Sequence, residues 1–351
     1  MNKSEKLIIA SCAAASSSTA VLHFLEANPV IIFCVAAVSL ALLAMVVGDG
    51  TEQLGKRFGP GLTGVLQSGL GNLPELFVCI FALRAGLDTV VQAALVGSIL
   101  GNSILVLGIA FFLGGLKNGT QKFSSEPPRM IVTLLLLAVS VLIVPTLAKT
   151  LHTPAEGHIL SLDIFLALVL LCLLASNIYF SIKGDAAITP KQPAEKEDVW
   201  PIKTTLGVLA AAGVGAALVS DWFVESLQPA MQSLGISQAF AGLVIMAIAG
   251  NAIENLIGIQ LAWKNQMEYA VSIILNSSLQ IALGLFPILV LLSYFLGGAI
   301  LTFVLSPLLV AVLLLAVVVV AFIIYDGESI WPEGLALIGL YLIIASAFWW
   351  G

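Results

Sequence analysis

The pentapeptide Gly71-Asn72-Leu73-Pro74-Glu75 lies within apolar sequence and recurs in the second half of the chain as Gly250-Asn251-Ala252-Ile253-Glu254. Gly, Asn and Glu keep their places in the two copies, and the offset that relates Glu75 to Glu254 also relates Ser98 to Ser277. A carboxylate is costly to place inside a membrane, so an intramembrane glutamate indicates a functional site. Two such glutamates, related by an internal repeat, predict a transporter whose ion site lies where the two repeats meet.

The composition is that of an integral membrane protein. Of the 351 residues, 60% are hydrophobic and 10% are charged, and the mean hydropathy is +1.08. Soluble proteins carry roughly 25% charged residues, so a soluble fold is excluded. Apolar runs of around 20 residues, enough to cross a bilayer core of about 30 Å, recur from end to end. They predict an all-α fold of eleven transmembrane helices, at residues 7–26, 29–48, 61–83, 88–114, 130–148, 161–182, 204–224, 238–263, 269–297, 300–323 and 334–350.

The first of these spans has an alternative interpretation. Lys3 and Lys6 precede residues 7–26, which are rich in Ala and Ser. Basic residues followed by an apolar stretch with small side chains are also typical of a cleaved signal peptide.

The distribution of basic residues predicts the orientation. With a cytoplasmic N-terminus, eleven crossings leave only Arg84 and Lys149 in outside loops. The other 12 of the 14 Lys and Arg residues fall inside: Lys3, Lys6, Lys56, Arg57, Lys117, Lys122, Arg129, Lys183, Lys191, Lys196, Lys203 and Lys264. This distribution follows the positive-inside rule, so the C-terminus is expected outside. The short loops favour a bacterial inner membrane.

The repeat predicts the domain organisation. Residues 1–28 form a leading helix, 29–183 a first repeat of five spans, and 204–351 a second repeat of five spans. Because five is odd, the second repeat enters the membrane from the opposite side, which makes the two repeats inverted. Residues 184–203 form a polar, proline-bearing cytoplasmic linker. The acidic residues of this segment are interpreted as part of a solvated linker, and the alternative is that they bind a regulatory cation.

The residue types of the repeated signature suit a hard cation. Pro74 removes a backbone donor next to Glu75, and a helix break there frees carbonyl oxygens. Carboxylate, amide and carbonyl oxygens together are the ligands that Ca²⁺ prefers, whereas soft metals take thiolate or imidazole. No cofactor is expected, and a hard cation such as Ca²⁺ is the expected substrate. Nothing in the sequence indicates binding to nucleic acid.

A second polar cluster follows each signature at the same distance. Gly97-Ser98-Ile99-Leu100-Gly101-Asn102 begins as far after Glu75 as Asn276-Ser277-Ser278-Leu279-Gln280 begins after Glu254. Hydroxyl and amide oxygens from these residues would complete an oxygen cage without adding charge. The alternative is that small and polar residues only hold neighbouring helices together. The predicted metal ligands are Glu75, Glu254, Asn72, Asn251, Ser98, Asn102, Ser277, Ser278 and Gln280.

These motifs resemble those of the cation/proton exchangers, the calcium/proton antiporter branch of the calcium/cation antiporter superfamily. The resemblance also includes Thr51-Glu52-Gln53-Leu54 and Gly59-Pro60, and covers nearly the whole chain. It implies that Glu75 and Glu254 alternately hold Ca²⁺ and protons, and that the amide and hydroxyl residues named above line the site. It also places Glu52 and Asp221 near the access paths, where an ordinary interfacial charge is the alternative. The chain departs from the family pattern at Leu73-Pro74 and at Asn255, where the family commonly has His.

The expected mechanism is antiport by alternating access. With both glutamates ionised the site has a charge of −2 and accepts one Ca²⁺. Burial and a second nearby carboxylate both favour the protonated form when the site is empty, so protons replace Ca²⁺ on the return. The two glutamates should titrate as a coupled pair. Inward proton flow would then export Ca²⁺ from the cytoplasm.

Other functions fit the sequence less well. A Na⁺/Ca²⁺ exchanger, or an exchanger of Na⁺ or K⁺ for H⁺, is the closest alternative within the superfamily. A membrane-embedded lipid phosphatase would need Arg or Lys at its site. A passive cation channel is disfavoured because closely held acidic ligands favour binding over fast release. The chain is therefore expected not to be an enzyme.

Overall fold

A computed structural model describes residues 3–58, 70–183 and 199–350. The start of the predicted third span, at 61–69, and most of the predicted linker, at 184–198, lie outside the described residues, and so does Gly59-Pro60. The Glu254 side chain is likewise outside this description.

The described residues form a helical bundle with two short strands. The first part contains α1 (Lys3–Phe24), α2 (Pro29–Phe58), α3 (Leu73–Arg84), α4 (Asp88–Leu100), α5 (Leu107–Asn118), β1 (Gln121–Lys122), α6 (Glu126–Thr150) and α7 (Ile159–Lys183). The second contains α8 (Ile202–Leu234), α9 (Gln238–Phe240), α10 (Ala247–Gly250), α11 (Ala252–Trp263), α12 (Met267–Gln280), α13 (Phe286–Leu296), α14 (Pro307–Ile323), β2 (Glu328–Ser329) and α15 (Trp331–Trp349). A 3₁₀ turn, Pro154–His158, precedes α7.

Eight helices in the described part of the chain are long and apolar enough to cross a membrane. A ninth crossing is formed if the bent pair Gln238–Gly250 and Asn255–Trp263, which meet at 64°, is one span. The structure therefore supports a membrane-spanning helical fold.

One expected span differs from the helix observed. Residues 300–323 were predicted as one span, but the helix begins only at Pro307. Ser306 caps its first turn by accepting a hydrogen bond from the Leu309 N–H (3.3 Å), and residues 297–306 before it are not helical. A Ser cap followed by Pro is a strong helix start, and it acts here within an apolar run.

Both copies of the signature lie at helix breaks. Gly71 and Asn72 form a turn, after which α3 begins with Pro74 in its first turn. Asn251, with φ −108° and ψ 22°, separates α10 from α11 in the same way. Because the missing N–H of proline would be unpaired in a first turn anyway, Pro74 starts the helix rather than kinking it.

In the part of the chain that the structure describes, three π-helical segments lie inside otherwise regular helices: Gly101–Val106, Ala241–Met246 and Ile281–Leu285. The first joins α4 to α5, the second joins α9 to α10, and the third joins α12 to α13. Such segments add a residue to one turn and are frequent at functional sites.

Gly97 and Gly242 are two of the described glycines that allow backbones from the two halves to touch. A Cβ at Gly97 on α4 would lie 2.2 Å from the carbonyl oxygen of Leu243, in the second π-helical segment. A Cβ at Gly242 would lie 2.3 Å from the carbonyl oxygen of Val90 on α4. Glycine is needed at both positions because no side-chain atom fits between the two backbones.

At each end of the bundle, backbone hydrogen bonds join the first half of the chain to the second. We call the end that contains β1 and β2 the strand end; there Gln121 pairs with Ser329, and Lys122 pairs with Glu328. The continuous helix from Asp88 to Asn118 begins at the far end, where the Ala299 N–H donates to the Leu83 carbonyl (2.9 Å), and ends at the strand end.

Candidate functional site

Glu75 lies in the first turn of α3 and is buried, with 3% of its surface exposed. Ser98 on α4 donates a hydrogen bond from Oγ to Glu75 Oε1 at 2.5 Å. The helix N-terminus also favours negative charge at this position. The carboxylate is therefore oriented by the neighbouring helix of its own half.

Asn251 connects Glu75 to the second half. Its Nδ2 lies 3.5 Å from Glu75 Oε2 and donates to Ser98 Oγ at 2.9 Å. Asn102 then donates from Nδ2 to Asn251 Oδ1 (3.3 Å) and to Ser277 Oγ (2.8 Å). Five predicted site residues thus form one buried network that crosses between the two halves.

The remaining predicted ligands lie around this network. Ser278 is fully buried and donates to the carbonyl of Ile99 at 3.3 Å, which fits helix packing better than ligation. Asn72 is buried at the N-terminal end of α3. Gln280 ends α12 half-buried, and no hydrogen bond joins it to the described residues of the network.

The two predicted access residues lie apart from each other. Glu52 is an exposed residue of α2. Asp221 on α8 is half-buried and lines a cavity of about 440 Å³, together with Arg84, Glu225 and Gln228. Because α3 ends at Arg84, this cavity lies at the far end.

The surroundings of Glu75 are apolar. A narrow cavity borders its carboxylate, and its other walls include Leu40 from α2 and Phe223 from α8. Among the described side chains, no three of His, Cys, Asp and Glu come together. The site is therefore a sparse set of oxygen donors around a carboxylate, a set that suits a hard cation or a proton.

The sequence and fold of this chain are similar to those of known ion exchangers. A family model described as sodium/calcium exchanger protein matches residues 28–183 and 204–350. The chain belongs to the sodium/calcium exchanger family. This result confirms the resemblance drawn from the two signatures, and the gap in the match falls in the predicted linker.

Similar proteins cover nearly all of this exchanger. The Ca(2+)/H(+) antiporter ChaA of Bacillus subtilis is 34% identical over an alignment of 355 positions, which covers 99% of each chain. The Ca(2+)/H(+) antiporter of Synechocystis sp. is 33% identical over an alignment of 349 positions, which covers 93% of this chain and 92% of the relative. The solved structure of native YfkE has a TM-score of 0.84 at 31% identity, covering 97% of this chain and 99% of that one.

Sequence reasoning missed one buried acid of this exchanger. Asp163 on α7 is fully buried, and its carboxyl group faces the Phe303 backbone without a hydrogen bond of normal geometry to the described residues. A single Asp within the predicted span 161–182 was the available signal, since an intramembrane acid indicates function by default. Asp163 lies far in sequence from both signatures, so the repeated motif did not point to it.

We expect Ser98→Ala to weaken Ca²⁺ binding about tenfold while the protein remains folded. The lost hydrogen bond is to a charged group, and such bonds contribute about 1.5–3 kcal/mol. Equilibrium binding of ⁴⁵Ca²⁺ to purified protein measures the effect. Ser103→Ala is the matched control, because Ser103 is buried nearby and its hydroxyl donates to the Ile99 carbonyl (2.6 Å). Equal binding by both variants would show that Ser98 does not orient a ligand.

Proposed function

We propose that this protein exchanges Ca²⁺ for H⁺ by alternating access and exports Ca²⁺ from the cytoplasm. The observation that carries the proposal is the buried Glu75 carboxylate held by Ser98 and Asn251, one from each half. The similarity to two proteins named Ca(2+)/H(+) antiporter supports Ca²⁺ and H⁺ as the substrates. The protein is accordingly a transporter rather than an enzyme.

The proposed site contains a second carboxylate, Glu254. It occupies the first turn of α11, as Glu75 occupies the first turn of α3. Asn251 faces Glu75 and Ser98, and we propose the equivalent role for Asn72 in the second half of the site. We assign Asn102 and Gln280 to the site lining, and Glu52 and Asp221 to the two access paths.

One contact between equivalent residues supports two inverted five-helix repeats behind a leading helix. Ser278 and Ile99 are 179 residues apart, the same separation as Glu254 and Glu75, and they bond directly to each other. Equivalent residues meet where a pseudo-twofold axis passes between repeats. We therefore retain residues 1–28, 29–183, 184–203 and 204–351 as leading helix, first repeat, linker and second repeat, with eleven crossings.

The charge distribution supports the proposed orientation in a bacterial inner membrane. Lys117, Lys122 and Lys264 lie at the strand end, whereas Arg84 lies at the far end. By the positive-inside rule the strand end faces the cytoplasm, which leaves the C-terminus outside.

The proposed transport cycle follows from the apolar surroundings of the site. A site with two carboxylates holds Ca²⁺ in its apolar surroundings, and the same surroundings disfavour two uncompensated charges once Ca²⁺ leaves. Protons then neutralise the pair and allow the empty site to reorient. Ca²⁺ and protons compete for the same oxygens, and this competition couples their movements.

The proposal predicts Ca²⁺ flux in proteoliposomes driven by an imposed pH gradient with no Na⁺ present. Glu254→Gln should abolish this flux because the site loses one of its two charges. Glu126→Gln should leave it intact, since Glu126 is exposed at the start of α6. Flux that appears only after Na⁺ or K⁺ is added would instead identify another coupling ion. Full flux in the Glu254 variant would remove that residue from the mechanism.

A further inference from the structure

The C-terminal end of α11 is bound by side chains from the end of α5 and from β1. Lys117 donates from Nζ to the Trp263 carbonyl at 3.1 Å and lies over the Trp263 ring. Asn118 donates to the carbonyls of Ala262 (3.3 Å) and Trp263 (3.4 Å). The last carbonyls of a helix have no partners within it, so these donors cap α11.

Gln121 is the buried member of this group, with 2% of its surface exposed. Its Nε2 donates to the Ala262 carbonyl at 3.0 Å and to Asn265 Oδ1 at 2.8 Å. Asn265 has a left-handed backbone, with φ +60°, and it turns the chain after the helix. One amide therefore fixes both the last turn of α11 and the residue that ends it.

The far end has an equivalent contact. The Leu83 carbonyl, near the end of α3, accepts from the Ala299 N–H of the other half at 2.9 Å. Leu83 and Ala262 hold equivalent positions in the two repeats, so each helix that follows a signature is capped by the opposite half. At α3 the donor is backbone, whereas at α11 the donors are side chains. Only at α11 can a capping donor therefore be removed by substituting a side chain.

The capped helix carries Glu254. α11 has 12 residues, and Ala262 lies eight residues after Glu254, about 12 Å along a rigid helix. A helix this short moves as one body, so a shift at its capped end moves its first turn as well. Small misplacements of a reacting group have large effects on rate and binding.

We propose that Gln121 is a positioning residue for Glu254, acting from the first half through the C-terminal end of α11. The inference rests on the proposed function, since it takes Glu254 as a Ca²⁺ ligand. It assigns to the loop at the strand end a role in setting Ca²⁺ affinity as well as in holding the fold.

The test compares Gln121→Met with Gln121→Glu and uses ⁴⁵Ca²⁺ equilibrium binding to the purified full-length protein. Methionine keeps the volume and removes both donated bonds, so we expect Ca²⁺ binding to weaken about tenfold. Hydrogen exchange at residues 258–266 should rise in the same variant. Lys122→Gln is the control, because Lys122 neighbours Gln121 but is exposed and pairs with Glu328.

Gln121→Glu adds a readout that a purely structural role would not change. A protonated Glu can still donate one bond to the Ala262 carbonyl, whereas an ionised Glu repels it. Its Ca²⁺ affinity relative to wild type should therefore fall as pH rises from 5 to 8, while the ratio for Gln121→Met stays flat. The charged groups around this position are Lys117 on α5, Lys264 after α11, Glu268 on α12, and the Lys122–Glu328 pair of the strands.

The outcomes separate the two proposals. Faster hydrogen exchange with unchanged Ca²⁺ affinity would overturn the positioning role and leave a structural cap. The positioning role would also be overturned if the Ca²⁺ affinity of Gln121→Glu relative to wild type did not change with pH. Wild-type protein that binds Ca²⁺ without pH-driven flux would refute proton exchange but leave this test valid, because the test measures binding. Wild-type protein that binds no Ca²⁺ would refute both.

Discussion

Glu75→Gln is expected to abolish Ca²⁺/H⁺ exchange, reducing flux by at least about 100-fold. The substitution keeps the shape of the side chain, and the Ser98 hydroxyl can still donate to an amide oxygen. It removes the charge that compensates a desolvated cation, and removing one partner of a buried charge pair costs about 3–5 kcal/mol. It also removes the atom that takes up a proton on the return.

The measurement is proteoliposome flux under a pH gradient, together with ⁴⁵Ca²⁺ binding and a thermal unfolding curve. A variant that unfolds at the wild-type temperature and transports nothing would place the defect at the site. Glu126→Gln is the matched control, since it makes the same chemical change on an exposed surface. Residual flux above about one tenth of wild type would refute the central role of Glu75, because a lost buried charge predicts a larger effect.

Gly97→Ala is expected to prevent assembly of the two halves. The added Cβ would lie 2.2 Å from the Leu243 carbonyl oxygen and 2.5 Å from the Leu243 Cα. Both neighbours are backbone atoms, so no change of side-chain rotamer relieves the clash. Overpacking in a core typically costs about 1–3 kcal/mol, and we expect a loss at or above the upper limit here.

Size-exclusion chromatography and thermal unfolding of purified protein measure this loss. Gly101→Ala is the control, because a Cβ there meets no atom within 4 Å although Gly101 lies one turn further along the same continuous helix. Gly242→Ala should behave like Gly97→Ala, since its Cβ would lie 2.3 Å from the Val90 carbonyl oxygen. A Gly97→Ala protein as stable as the Gly101 variant would contradict the close approach.

The sequence was sufficient to predict the family and the residues that form the buried network. Ser98, Asn102, Asn251 and Ser277 were chosen by residue type and spacing, and the structure joins them to Glu75 by hydrogen bonds. This worked because an intramembrane polar group needs polar partners, so polar residues in apolar spans tend to meet. Whether they bind Ca²⁺ remains a proposal.

The details of the backbone were harder to predict. Hydropathy reports whether a segment enters a membrane, but not where its hydrogen bonds change register. The segment at 300–306 is as apolar as a span, yet it is not helical, and Gln92 donates to the carbonyls of Thr302 (3.0 Å) and Val304 (3.1 Å). Buried irregular backbone needs such partners from elsewhere in the protein. Gln92 belongs to the other half of the chain, so no local sequence pattern connects it with this segment.

The C-terminal ends of α3 and α11 are each capped by the opposite half of the chain, and this arrangement has a consequence for biosynthesis. The first half is made before the second, so the Leu83 carbonyl has no Ala299 donor until the chain beyond residue 299 has been translated. Until then the Leu83 carbonyl accepts only within its own half, from the Gly86 N–H (3.0 Å), and the end of α3 gains its contact with the second half after Ala299 has been made. A gene cut at the linker should therefore yield active exchanger only when the two pieces are produced in the same cell.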